Sequence, residues 1–208
     1  NQRSEAEEHL VACVTARDVT KQTIQKHQLK WQSEHDFLTG AERRNEFILR
    51  LEKQARDQTE PTELTHVLAL GIHRFSAVNA MLGREIGDGL LKAFVERLEK
   101  MGPFVEGVSR LDSASFAIRL SLDQDGVENS DLPTRMLKEM SLPYQIDGQQ
   151  ISIDPCIGLA GVASDSTTAA ELLEHAEFAL EEAVSLGPQT IRVFDPALNE
   201  QQKKARQM

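Results

Sequence analysis

Val108-Ser109-Arg110-Leu111-Asp112-Ser113-Ala114-Ser115-Phe116-Ala117-Ile118-Arg119-Leu120 decides the reading of this chain. Two short apolar runs flank a polar turn, Asp112 to Ser115, and that is a hairpin signature. Turns held up by a sheet are where sites are commonly built. This tip offers one carboxylate, Asp112, and two hydroxyls, which is little chemistry for an exposed loop.

Outward from the hairpin, the upstream stretch Asp88 to Met101 is strongly amphipathic. Leu90, Leu91, Phe94, Val95 and Leu98 form its apolar face, and Gly102-Pro103 ends it. Gly83 to Gly87 reads as a break before that helix, Phe75 to Leu82 as another helix, and Thr65 to Ile72 as a buried strand. Farther upstream, a helix is predicted from about Glu42 to Arg56, with Phe47, Ile48 and Leu51 inward. Downstream, residues 121–131 are a polar loop, and Leu132 to Met140 is a helix. Residues 143–147 and 150–162 form a second hairpin turning at Asp147-Gly148. Thr168 to Leu186 is a helix stopped by Gly187-Pro188, and Thr190 to Phe194 is a last strand. Helices interleaved with a mostly antiparallel sheet give an α+β fold, compatible with a ferredoxin-like βααββαβ core.

The 208 residues carry a formal charge of −10, which disfavours a nucleic-acid binder, since such a protein normally shows a basic face. No apolar run approaches the roughly 18 residues of a membrane span. Cys13 and Cys156 are far apart, lack metal spacing, and sit in apolar runs, so both are expected as buried thiols. The histidines form no HxxxH or HxH pair that would suggest zinc.

The first 36 residues differ in character. Residues 10–16 (LVACVTA) read as one strand of a domain that begins upstream. Lys21 to about Asp36 reads as a polar helix, with Asp18 or Thr20 suited to its N-cap. Ile24, Trp31 and Leu38 recur every seven residues, with His27 and Glu34 on the intervening seam positions. Two readings stay open: a solvated connector, or a parallel dimer helix that transmits a signal.

Several motifs together resemble the GGDEF (diguanylate cyclase) family. Asp36-Phe37-Leu38-Thr39-Gly40 is similar to that family's DxLTG. Gly71 to Asn79 is similar to its DIDxFKxIN segment, Gly83 to Leu91 to GHxxGDxLL, and Arg110 to Phe116 stands where RxGGDEF would be. Ile157 to Ala160 and Ala176 to Leu180 resemble the later SIGIA and ADxALYxAK. The matches run in order from about Asp36 to Asp195. The resemblance implies a nucleotide-cyclase or polymerase-palm fold. Residues 1–19, ending in a DIT-like exit, resemble the tail of a PAS sensor domain. The resemblance therefore implies PAS tail (1–19), signalling linker helix (20–36), GGDEF-like domain (37–196) and, from 197 to 208, the start of a connection to an EAL phosphodiesterase domain. The expected partners are those adjacent PAS and EAL domains, and a second copy in a homodimer through the linker helix. The expected setting is the bacterial cytoplasm.

The resemblance also shows what has gone. In the family, carboxylates hold two metal ions that activate a ribose hydroxyl against an α-phosphate. The first metal-binding Asp of that segment is here Gly71. The third and fourth residues of the signature turn are Ala114 and Ser115, and its two close-approach glycines are Asp112 and Ser113. The phosphate-binding Lys and Arg fall at Val184 and Pro188. The RxxD inhibitory motif is Pro103-Phe104-Val105-Glu106, and proline has no bidentate guanidinium to offer. His73 replaces the segment's second Asp and has no partner carboxylate at 71 or 114. The expected catalytic set is therefore empty, with no Mg²⁺ and no enzyme activity for this stretch. Asn79 and Asp88 match the residues that bind guanine, so a domain that binds GTP weakly as an allosteric ligand for a neighbouring EAL phosphodiesterase is one alternative, and an active diguanylate cyclase is a second. The competing reading is structural, with Asp88 capping a helix and Asn79 holding the Gly83 turn.

Overall fold

The computed structural model describes residues 25–26, 28–57, 66–120, 131–161 and 168–196. The predicted strand at 10–16, Cys13, the caps at Asp18 and Thr20, Ile24 and the stretch 197–208 lie outside the described residues.

Helix α1 runs through residues 28–34. Then come β1 (Glu42–Arg43), α2 (Arg44–Asp57), β2 (His66–Ile72), α3 (Phe75–Leu82), α4 (Arg84–Glu99), β3 (Val105–Arg110) and β4 (Ser115–Leu120). The chain continues through α5 (Leu132–Met140), β5 (Tyr144–Ile146), β6 (Gln149–Ile151), β7 (Pro155–Gly161), α6 (Ala169–Leu186) and β8 (Ile191–Val193). The six-stranded sheet has the order β1-β3-β4-β2-β7-β8. Its four central strands are all antiparallel to their neighbours, while β1 and β8 add parallel edges. The inner order is that of a ferredoxin-like sheet, as the sequence predicted.

Alternation along the strands divides the core in two, because successive side chains leave opposite faces of a sheet. Leu68, Leu70, Phe116, Ile118, Ile157 and Leu159 face α4 and α5, together with Phe94 and Leu98. Val67, Ala69, Ala117, Cys156 and Ala160 face α2 and α6, with Phe47, Leu51, Leu173 and Ala176. Gly158 is where α6 comes closest, since a Cβ there would lie 2.2 Å from the Leu180 amide nitrogen. Thr168 and Glu171 form a capping box that starts α6. Cys156 is a buried free thiol whose ionisation is pushed up by burial, as expected.

The structure corrects four local expectations. The helix predicted from Asp88 begins at Arg84, so Asp88 lies inside α4 and caps nothing. Gly83, with φ +90°, is the break. Gly87 is helical, and a Cβ on it would fall 1.8 Å from Asn79 Oδ1, so the glycine serves close packing of α3 on α4 rather than a turn. The Gly83 turn is held by the Asn79 backbone carbonyl, which accepts from the Gly83 amide at 3.0 Å, and not by the Asn79 side chain. Glu42 belongs to an edge strand, not to α2. The second hairpin is shorter than predicted: β5 and β6 form their own two-stranded sheet about Asp147 and Gly148, both at positive φ, and β7 is a separate strand.

The heptad on α1 is also altered. Trp31 is half exposed and stacks on His35 at 5.0 Å, but Leu38 packs against the domain core. The seam therefore ends before position 38.

Candidate functional site: the β3–β4 turn and the α3–α4 seam

Register brings the sequence-predicted positions together. Gly71, near the end of β2, pairs with Ser115 at the start of β4 and with Cys156 on its other side. The Ile72 amide donates to the Ala114 carbonyl at 3.1 Å. Positions 71, 114 and 115 thus meet at one end of the sheet, where a pair of carboxylates would face a common ligand. None of the three carries a carboxylate. A Cβ at Gly71 would rest 3.3 Å from the Leu180 side chain, so α6 packs directly against this position.

Asp112 does not substitute for them. Its Oδ1 accepts from the amides of Ala114 and Ser115, each at 3.1 Å, so the carboxylate is committed to forming its own turn. Arg110 braces the same turn. Its Nε donates to the Asp112 carbonyl at 3.1 Å, and its terminal nitrogens donate to the Ser113 carbonyl at 2.9 Å and to Asp36 Oδ1 at 3.0 Å. Asp36 also accepts from the amide and hydroxyl of Thr39, at 2.9 and 2.7 Å. Burial alone would raise the Asp36 ionisation, but the hydrogen bonds from Thr39 and Arg110 outweigh it and hold the carboxyl below the ordinary aspartate value. The turn is therefore a self-contained structure, tied to the end of α1 through Asp36.

A metal does not fit this end of the sheet. Hard divalent cations require several oxygen ligands around one point. Glycine and alanine supply none, and Asp112 already accepts two hydrogen bonds. No group of three or more metal-ligating side chains occurs among the described residues. His73 is half-buried at the start of the α3 turn, and its Nδ1 has no hydrogen-bond partner.

The guanine positions fare differently. Asn79 projects from α3 against Gly87 of α4, and its Oδ1 is buried without a hydrogen-bond partner. Asp88, the next residue on α4, is half-buried. The packed seam of α3 and α4 thus keeps an amide and a carboxylate on adjoining helices. Val184 and Pro188 place no positive charge near the end of α6, and Pro103 and Glu106 are exposed ahead of and within β3.

Sequence reasoning missed a buried charge cluster. Arg119, near the end of the apolar run that made β4, forms a bidentate pair with Glu42 of β1, and both are nearly inaccessible to solvent. Arg50 adds a contact to Glu42 at 2.9 Å. The available signal was an arginine inside an otherwise apolar strand, which demands a partner. Arg44 forms a second bidentate pair with Glu177 across α2 and α6, at 2.6 and 2.5 Å, and that pair raises the Arg44 ionisation.

Comparison with known proteins agrees with this architecture. The diguanylate cyclase GGDEF-domain family model matches residues 33–189. The diguanylate cyclase TpbB of Pseudomonas aeruginosa is 30% identical over 153 residues, covering 73% of this chain and 35% of that protein. The bifunctional diguanylate cyclase/cyclic di-GMP phosphodiesterase MucR of the same organism is 27% identical over 165 residues, 79% of this chain and 24% of its own length. The chain spans about a fifth to a quarter of several such relatives. The solved GGDEF domain of TpbB superposes with a TM-score of 0.68 at 28% identity, over 76% of this chain and 98% of that one. The FimX GGDEF domain of Pseudomonas aeruginosa, at 18% identity and TM-score 0.66 over 76% and 98% of the two chains, shares the fold. On the sheet order, the turn and the match over residues 33–189, this chain belongs to the diguanylate cyclase GGDEF-domain family.

Proposed function

We propose that this GGDEF domain turns over no substrate and serves as a signal-relay module in a bacterial cyclic di-GMP signalling protein. One observation carries the reading: the register that unites positions 71, 114 and 115 unites glycine, alanine and serine. Two-metal phosphoryl chemistry needs carboxylates there, and loss of the metals removes both nucleophile activation and charge neutralisation. In this reading a PAS-like sensor upstream biases the linker helix, α1 hands the change to the domain through His35 and Asp36, and the domain passes it to an EAL-type output domain. The assembly is a cytoplasmic homodimer joined through the linker helix. Relatives such as the cyclic di-GMP phosphodiesterase NbdA of Pseudomonas aeruginosa support an output of that kind. Incubation with GTP and Mg²⁺ is expected to yield no cyclic di-GMP by chromatography, and product formation would overturn the proposal.

A second reading rests on Asn79, whose buried Oδ1 lacks a partner. There the domain binds GTP through Asn79 and Asp88 as an allosteric ligand for a neighbouring phosphodiesterase. Calorimetry separates the two: micromolar GTP binding that disappears in Asn79→Ala supports the second reading, and no heat supports the first.

A further inference from the structure

A cleft away from the β3–β4 turn lies between α4, α5 and the start of β5, and has a volume of about 730 Å³. Its walls carry cations one helical turn apart on each side: Arg97 and Lys100 from α4, Arg135 and Lys138 from α5. Among the described residues that line it, Glu96 and Glu139 are the acids, in a chain whose formal charge is −10. The cleft is thus a basic site on an acidic protein.

The four cations differ in how they are held. The Arg97 guanidinium lies 3.5 Å above the Tyr144 ring and donates to the carbonyls of Glu139, Leu142 and Pro143, at 3.2, 2.6 and 2.9 Å. It closes the C-terminal end of α5, and among the described residues no carboxylate forms an ion pair with it. Lys100 pairs with Glu96 and Arg135 with Asp131, but all four side chains are well exposed. Such pairs contribute little and exchange partners readily. Lys138 has no carboxylate partner among the described residues. Between the walls, Ala93, Met101 and Leu142 make an apolar floor, and Leu142 is 46% exposed.

We propose that the α4–α5 cleft is a docking groove for an acidic protein segment that carries an apolar anchor. Carboxylates one turn apart on such a segment would meet Lys100 on one wall and Arg135 and Lys138 on the other, with Arg97 at the base. Its apolar residue would cover Leu142 and Met101. A small polyphosphate fits less well, because Glu96 and Glu139 line the same walls and the apolar floor would stay uncovered. The groove does not depend on whether the hairpin turn is catalytic, so it stands apart from the proposed loss of cyclase chemistry.

The test is an NMR titration of the isotope-labelled chain with an amphipathic Glu/Leu peptide of about 15 residues, long enough for four helical turns. The Lys-for-Glu counterpart and inorganic pyrophosphate are run beside it. The Glu/Leu peptide is expected to shift amides of α4, α5 and β5 and to bind more weakly as salt rises. The double variant R135E/K138E, at two exposed positions, is expected to weaken it roughly tenfold or more. Leu142→Ser should weaken it several-fold, with thermal unfolding confirming that both variants stay folded. The proposal is overturned by no shifts up to about 1 mM peptide, by undiminished binding in R135E/K138E, or by pyrophosphate producing the same shifts as tightly, which marks a small-anion site.

Discussion

Strand β4 carries two polar ends with opposite fates. At its start, Asp112 and Ser113 of the turn are exposed, Ser115 is half-buried and Ala114 buried, and the turn's only carboxylate is committed to its own backbone. Near its other end, Arg119 is buried and locked onto Glu42, with its guanidinium 4.9 Å above the Phe47 ring and a weak bond to the Glu106 carbonyl. At the tip, Asp112 and Ser113 are exposed and support little packing, while Ala114 joins the core. In the Arg119 cluster, removing one partner strands a buried charge.

The comparison breaks most sharply at Arg119. Arg119→Ala leaves Glu42 buried with only Arg50 beside it, and is expected to cost about 3–5 kcal/mol of unfolding free energy in denaturant titration. A loss below about 1 kcal/mol would place this pair in the weak class of surface bridges. Gly107→Ala comes next. Its Cβ would sit 2.0 Å from a terminal nitrogen of Arg119, so the guanidinium must leave its partner or the strand must shift, for about 1–3 kcal/mol in the same titration.

The turn is expected to respond less. Asp112→Ala removes two side-chain bonds from an exposed tip, for about 0.5–1.5 kcal/mol. Thermal unfolding would show it, and a loss as large as that of Arg119→Ala would erase the distinction between the two ends. The smallest effect is a pH dependence. The Asp36 carboxyl titrates below its ordinary value in the folded chain, so its contribution is present above the unfolded value of about 4 and fades as pH falls through the lower folded value. Asp36→Asn should flatten that part of the acid limb of the stability profile, and the unchanged profile would show the Arg110 brace to be inert.

Much of the domain was legible in the sequence. The apolar face Leu90-Leu91-Phe94-Val95-Leu98 gave α4, the two apolar runs within Val108–Leu120 gave the β3–β4 hairpin, and the helix predicted over Thr168–Leu186 matches α6. These patterns are local and repeat with the period of the element. The start of α4 was misplaced because glycine signals a break in sequence, whereas Gly87 is there for a neighbour eight residues earlier, Asn79. Glu42 was misassigned because a two-residue edge strand has no period to read.

The sequence by itself determined that the family's ligand positions hold Gly71, Ala114 and Ser115, since absence of a carboxylate needs no coordinates. It also determined that Asn79 and Asp88 remain. Only the tertiary structure decided that Asp112 is occupied by its own turn, that Arg119 finds Glu42 from 77 positions away, and that Arg97, Lys100, Arg135 and Lys138 line one cleft. Composition fixes which charges exist, but the screening, burial and pairing that give each charge its effect depend on neighbours that only the folded sheet brings together.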